Sequence, residues 1–153
     1  MSTADKQIPR PAELDLEFFQ AATSTGELHV QKCADCSDHH HPPRLYCPRC
    51  FSDRYVFEKV SGRGTVYSYT VSHFTTEKAW KDEVPWATIV VQLDEGPRLV
   101  GTARGIDPGA IRIGLPVRVV TETVTDDFAY LWVEADAGAE PEKTGNERAE
   151  EAR

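Results

Sequence analysis

The segment VQKCADCSDHHHPPRLYCPRC, residues 30–50, carries all four cysteines of the chain, as two Cys-x-x-Cys pairs with ten residues between them. Two such pairs offer four thiolates, enough to close a tetrahedral shell around one ion, as zinc prefers. Paired cysteines with no basic-then-apolar leader ahead of them read as metal ligands before disulfides. The expected ligands are Cys33, Cys36, Cys47 and Cys50, and the expected cofactor is one structural Zn2+. A filled four-sulfur shell leaves no open position for water or substrate, which argues against Lewis-acid hydrolysis there. The same ligands would hold iron in an electron carrier, but nothing else in the chain resembles a redox partner site. His39, His40 and His41 lie between the pairs. With four thiolates at hand none is needed as a ligand, and a run ended by two prolines is expected to be solvated loop.

Outward from this segment, ELHVQKCADC reads as a strand running into the first knuckle and RLYCPRC as its counterpart. Residues 27–57 are thus predicted to form a ribbon of two hairpins. Its apolar residues are few, and a unit this small needs its ion to fold. Upstream, residues 1–26 read as a tail and a helix, with Leu14, Phe18, Phe19 and Ala22 at helical spacing and Gly26 as the stop. That helix is expected to pack on its own chain; the alternative has Phe18 and Phe19 docking on a partner or flanking a ligand groove.

Downstream the texture changes to strands: TVYSYTVSHF (65–74), ATIVVQL (87–93), RLVGTAR (98–104), VRVVTETV (117–124) and FAYLWVE (128–134). Five short, closely spaced strands without long helices fit a small closed barrel over 58–135 better than a sandwich, which needs about seven. The loop TTEKAWKDEVPW (75–86) is charged yet carries Trp80 and Trp86, and loops are where function tends to sit. Residues 136–153 have no apolar anchors and are expected to be a disordered acidic tail. The fold class is therefore mainly β, with an N-terminal helix, a metal ribbon and a five-stranded barrel.

A formal charge of −8 argues against general attraction to nucleic acid or anionic membrane. Around the cysteines the balance reverses, with Lys32, Arg44 and Arg49 against Asp35 and Asp38. No apolar run approaches a membrane span, and a cytoplasmic protein is the expectation. No phosphate-cradling loop or nucleophile elbow occurs. Asp126 and Asp127 read as a turn, and His73, at a strand end, is a weak candidate base. No catalytic residue is assigned.

The order of parts closely resembles the DUF35 family: the aromatic helix, the ribbon with PPR before its second knuckle, then VSGRGTVYSYTV, VQLDEGPRLVG and IRIGLPVRV. The resemblance covers about residues 12 to 134. It implies a rubredoxin-like zinc ribbon joined to an OB-fold barrel, in an accessory subunit rather than a catalyst. Such subunits accompany thiolase-fold proteins, either thiolases or retro-aldolases that shorten steroid side chains held as CoA thioesters, in heteromeric complexes expected to be heterotetramers. Carried onto this chain, zinc ligation falls on Cys33, Cys36, Cys47 and Cys50. Family knuckles often have glycine after the second cysteine, whereas Ser37 and Phe51 stand there in this sequence.

Acyl-CoA carries phosphates that the locally basic ribbon could meet, so Arg44, Arg49 and Arg63 are candidate CoA or partner contacts. Phe18, Phe19, Trp80 and Trp86 are candidates to cover pantetheine or seal a subunit joint. SGRG also serves simply as a glycine link into the barrel. The competing readings are a single-stranded nucleic-acid binder, since ribbons and OB barrels both serve that role, and a self-contained acyl-CoA enzyme using His73. The acidic charge weighs against the first, so neither nucleic acid nor membrane is an expected partner.

Overall fold

The computed structural model describes residues 6–138. The helical spacing of the first segment gives α1 (Glu13–Thr25), ended by Gly26. It turns Phe18 and Ala22 inward. Phe18 is only 2% exposed and packs against the rings of Phe19, His41 and Phe57. The helix therefore packs on its own chain. Phe18, expected among the exposed aromatics, is core and out of reach of a ligand or partner. The far end of α1 is tied to the turn at Asp126 and Asp127: Gln20 donates to Asp127 at 2.9 Å and Thr23 to the Asp126 carbonyl at 2.6 Å.

The ribbon is a three-stranded antiparallel sheet of β1 (His29–Cys33), β2 (His39–His40) and β3 (Tyr55–Lys59), in the order β2-β1-β3. Two expectations fail here. The histidine run is not solvated loop, because His39 and His40 form β2 against Lys32 and Gln31, and His40 is 8% exposed. RLYCPRC is not a strand either. Pro42, Pro43 and Pro48 have no N–H for a ladder, and the second strand of that knuckle comes after it, as β3. Buried Gln31 takes over the missing ladder. Its amide nitrogen donates to the Arg44 carbonyl at 2.9 Å, and its amide oxygen accepts from the Arg44 N–H at 2.7 Å.

The remaining strands are β4 (Arg63–Ser72), β5 (Trp86–Leu93), β6 (Arg98–Ala103), β7 (Pro116–Thr125) and β8 (Phe128–Ala135). They close into a barrel in the order β4-β5-β6-β8-β7, with β6 and β8 parallel and the other pairs antiparallel. β5 shows the clearest alternation: Ala87, Ile89, Val91 and Leu93 all point into the core. In β4 a bulge between Val66 and Ser68 breaks the alternation. Val66 is buried, while Tyr67 and Tyr69 are exposed. At the start of β4 a Cβ on Gly64 would fall on the Gln92 carbonyl, so only glycine lets the strand sit this close to β5. A 3-10 helix (Lys78–Glu83) interrupts the loop between β4 and β5.

One buried apolar cluster runs through all three parts, from Phe18 of α1 and Leu28 and Val30 of the ribbon, through Val60, to Val66, Ile89, Val117 and Val133 of the barrel. The ribbon thus shares a core rather than relying on an ion alone. Among the described residues no helix is long and apolar enough to cross a membrane. Most of the expected disordered tail, residues 139–153, lies outside the described residues; Asp136 at its start is held by Arg63.

Candidate metal centre and the surfaces around it

β1 ends at Cys33, and the turn that follows supplies Cys36. There the Ser37 N–H donates to the Cys33 carbonyl at 3.1 Å, and the Cys33 N–H to the Asp38 carbonyl at 2.9 Å. The second knuckle repeats the pattern: Phe51 N–H to Cys47 carbonyl at 2.9 Å, Cys47 N–H to Ser52 carbonyl at 2.8 Å. The two turns face each other. Cys33 and Cys50 sulfurs lie 3.5 Å apart, Cys36 and Cys47 sulfurs 3.6 Å, and all four fall within 4.8 Å of one another. A tetrahedral ion with bonds of about 2.3 Å to sulfur would space its ligands by about 3.8 Å. The cysteines fit such an ion, and each is a free thiol.

The electrostatics point the same way. A hydrogen bond from the Cys36 backbone is the main influence lowering the Cys33 thiol to about 7. The Asp38 backbone pulls Cys36 down too, but burial and the neighbouring thiols outweigh it and push Cys36 up to about 12. Thiols this close cannot all ionise without a cation among them. The Arg49 N–H, 3.4 Å from the Cys47 sulfur, is placed to stabilise a thiolate there.

The three candidate arginines behave differently from one another. Arg44 is fixed through its backbone by Gln31 while its side chain is exposed. Arg49 is exposed and only loosely paired with Asp38 at 3.6 Å. Arg63 bonds Asp136 at 2.8 Å and is tied up within the chain. His73 is exposed beyond the end of β4.

Phe19, Trp80 and Trp86 gather on one side of the barrel with residues that sequence reading did not single out. Phe19 packs on Phe128, and Trp80 on Trp86, at 4.8 and 5.9 Å between ring centres. A hollow of about 220 Å³ is lined by Phe19, Trp80, Val100, Phe128, Tyr130 and Trp132. A neighbouring one of about 330 Å³ adds Trp86 and Arg104. Arg104 is pinned between Glu122 and Glu134, each at 2.8 Å, and the Trp132 indole N–H donates to Glu122 at 2.8 Å. Phe128, Tyr130 and Trp132 recur every second residue along β8, a signal of one shared face.

Two facing cysteine knuckles, continuous through one core with a five-stranded barrel, define a ribbon–barrel protein with a four-sulfur site suited to a structural metal. Residues 21–56 match the family described as "ChsH2, rubredoxin-like zinc ribbon domain", and residues 57–122 the one described as "ChsH2, C-terminal OB-fold domain". The chain belongs to the DUF35 family. It is 40% identical over 129 residues to a Thermomonospora curvata protein named "Probable enoyl-CoA hydratase alpha subunit". It is 37% identical over 129 residues to the "3-oxo-4,17-pregnadiene-20-carboxyl-CoA hydratase alpha subunit" of Mycobacterium tuberculosis. These alignments take in 84% of this chain but span only 36% and 40% of the two relatives. A "DUF35 domain-containing scaffold protein" of Methanothermobacter thermautotrophicus is 34% identical over 65% of this chain and 75% of its own length. Among solved structures, a chain of an "Ltp2-ChsH2(DUF35) aldolase" superposes with a TM-score of 0.71 at 34% identity, covering 82% of this chain and 98% of that one.

Proposed function

We propose that this chain is a non-catalytic, cytoplasmic subunit that binds and stabilises a thiolase-fold partner acting on CoA thioesters. One Zn2+ held by Cys33, Cys36, Cys47 and Cys50 braces its ribbon. A closed sulfur shell leaves that ion no coordination place for substrate, so whatever reacts belongs to the partner. The observation that carries the reading is the likeness to nearly the whole of one chain of an aldolase complex. The relative named for a pregnadiene-carboxyl-CoA supports a steroid side-chain thioester as substrate class. The aromatic hollow beside Phe19, Trp80 and Trp86 is suited to cover a pantetheine arm, and the exposed guanidinium of Arg44 to meet a CoA phosphate. In this reading the chain helps to form the CoA groove of a heterotetramer.

The test is co-expression with a thiolase-fold protein from the same organism. A complex on gel filtration, with carbon–carbon bond chemistry on a CoA thioester by the complex and none by this chain alone, is the expected result. A partner fully stable and active alone, with no complex, would sink the proposal.

One observation favours a second reading. The Arg98 guanidinium lies 3.5 Å over the Tyr67 ring, and Tyr69 of the same strand is also exposed, an arrangement able to stack a base. The charge of −8 opposes it. Absence of any single-stranded DNA shift at low salt would end that alternative.

A further inference from the structure

The second knuckle carries three large apolar side chains that the fold does not use. Leu45 is 66% exposed, Tyr46 62% and Phe51 78%. All three sit within the turn closed by the Cys47–Ser52 hydrogen bond or directly before it. Together they expose on the order of 300–400 Å² of apolar surface, the size of the largest patch on ordinary monomers and one that is often functional. Among the described residues Tyr46 and Phe51 have no aromatic partner. Phe51 is the most costly of the three. Its φ of +62 is a left-handed conformation that favours glycine, yet a full aromatic ring stands there in water. A serine at the equivalent position of the first knuckle shows that the turn itself does not need a ring. Strain of this kind, outside any packing role, marks a surface kept for something else.

The rim gives the occupant its chemistry. Arg44 precedes the three apolar residues in the chain and Arg49 stands among them, and both are exposed. The nearest acid, Asp38, holds Arg49 only loosely at 3.6 Å, while Asp35 is engaged by Arg54 and Ser52. An exposed apolar segment carrying two available guanidiniums is complementary to an apolar hollow rimmed by carboxylates. An extended polyanion such as a nucleic-acid strand is a poorer match, because Asp35, Asp38 and Asp53 lie within the same ribbon.

We infer that the second knuckle is the docking surface for the thiolase-fold subunit, with Phe51 as the anchor that enters a carboxylate-rimmed apolar hollow on that protein. The inference rests on the partnership proposed above and adds where the contact is made. Bound in such a hollow, the Phe51 ring leaves water at the centre of an interface, where aromatic anchors carry most of the affinity.

Phe51→Gly is the decisive variant, because glycine suits the backbone at that position and a loss of binding cannot be blamed on the knuckle. Titration of the full-length, metal-loaded chain against the co-expressed thiolase-fold subunit should show Kd raised about 30-fold or more, with metal content unchanged. Leu45→Ser with Tyr46→Ser should weaken binding as well. Arg49→Glu should slow association and reduce its salt dependence. Ile113→Ser, at an apolar residue equally exposed but outside the knuckle, serves as the control and should bind as the parent does. If the parent complex forms and Phe51→Gly binds equally well, the inference is overturned while the subunit assignment stands. If no parent complex forms, both fall. Retention on single-stranded DNA that Phe51→Gly abolishes would overturn it in favour of a nucleic-acid surface.

Discussion

Ser37 and Phe51 share one backbone conformation, with φ of +60 and +62, at the same position of the two facing knuckles. In each the N–H reaches back to the carbonyl of the first cysteine of its pair. An L side chain in this region costs about 1 kcal/mol through contact of Cβ with the backbone. Ser37→Gly and Phe51→Gly should therefore each stabilise the metal-loaded chain by up to about 1 kcal/mol, less glycine's extra entropy when unfolded. The expected readout is a melting temperature unchanged or raised by a few degrees, whereas Ser37→Val should lower it. A glycine variant that melts well below the parent would show that the turn is not strained.

Gln31 supports the loop that no strand supports. Removing its amide leaves the Arg44 N–H and carbonyl without their partner beside a fully buried site. Gln31→Leu, close in volume, should cost about 2–3 kcal/mol, seen as a lower denaturant midpoint at unchanged slope.

Acid should weaken the fold through His41. Burial against Phe18 holds its imidazole down to about 4, opposed in part by the nearby Asp15 carboxylate, and its Nδ1 has no hydrogen-bond partner among the described residues. The unfolded chain takes up a proton below about 6.5, and the folded one does not until about 4. Stability is thus full above pH 6.5, falls as pH drops from there toward 4, and loses about 3 kcal/mol over that window. His41→Phe should flatten that limb when unfolding is followed between pH 4.5 and 7. An unchanged slope would assign the acid sensitivity elsewhere.

Metal removal should loosen the ribbon more than the barrel. Stripping the ion by chelation, or replacing Cys33 with Ser, should release protection from amide exchange across the knuckles. The alternating core of β5 should stay protected, since Ile89 and Val91 owe nothing to sulfur ligation. Equal melting of Cys33→Ser and the parent would contradict a bracing metal.

The parts legible in the sequence were those with a local signature. Cysteine spacing marked the four sulfurs that the fold gathers, and strict alternation from Ala87 to Leu93 gave the most regular strand. What escaped depends on contacts distant in sequence. Helical spacing marks Phe18 as apolar but cannot say that His41 and Phe57 will cover it. The histidine run looks like loop until β1 pairs with it. TVYSYTV reads as unbroken alternation, but a bulge between Val66 and Ser68 shifts its register, and Tyr67 and Tyr69 are both left exposed. Arg63 looks free until Asp136, 73 positions later, arrives beside it. The aromatic hollow needs α1, the 3-10 helix and β8 together, and no single stretch announces it.

The buried row from Val30 through Val60 to Val66 joins ribbon and barrel in one core. Turning one against the other would tear open a dry seam. A pull on the cysteine-bearing tip is therefore passed through packed side chains to the barrel, rather than spent at a loose tether.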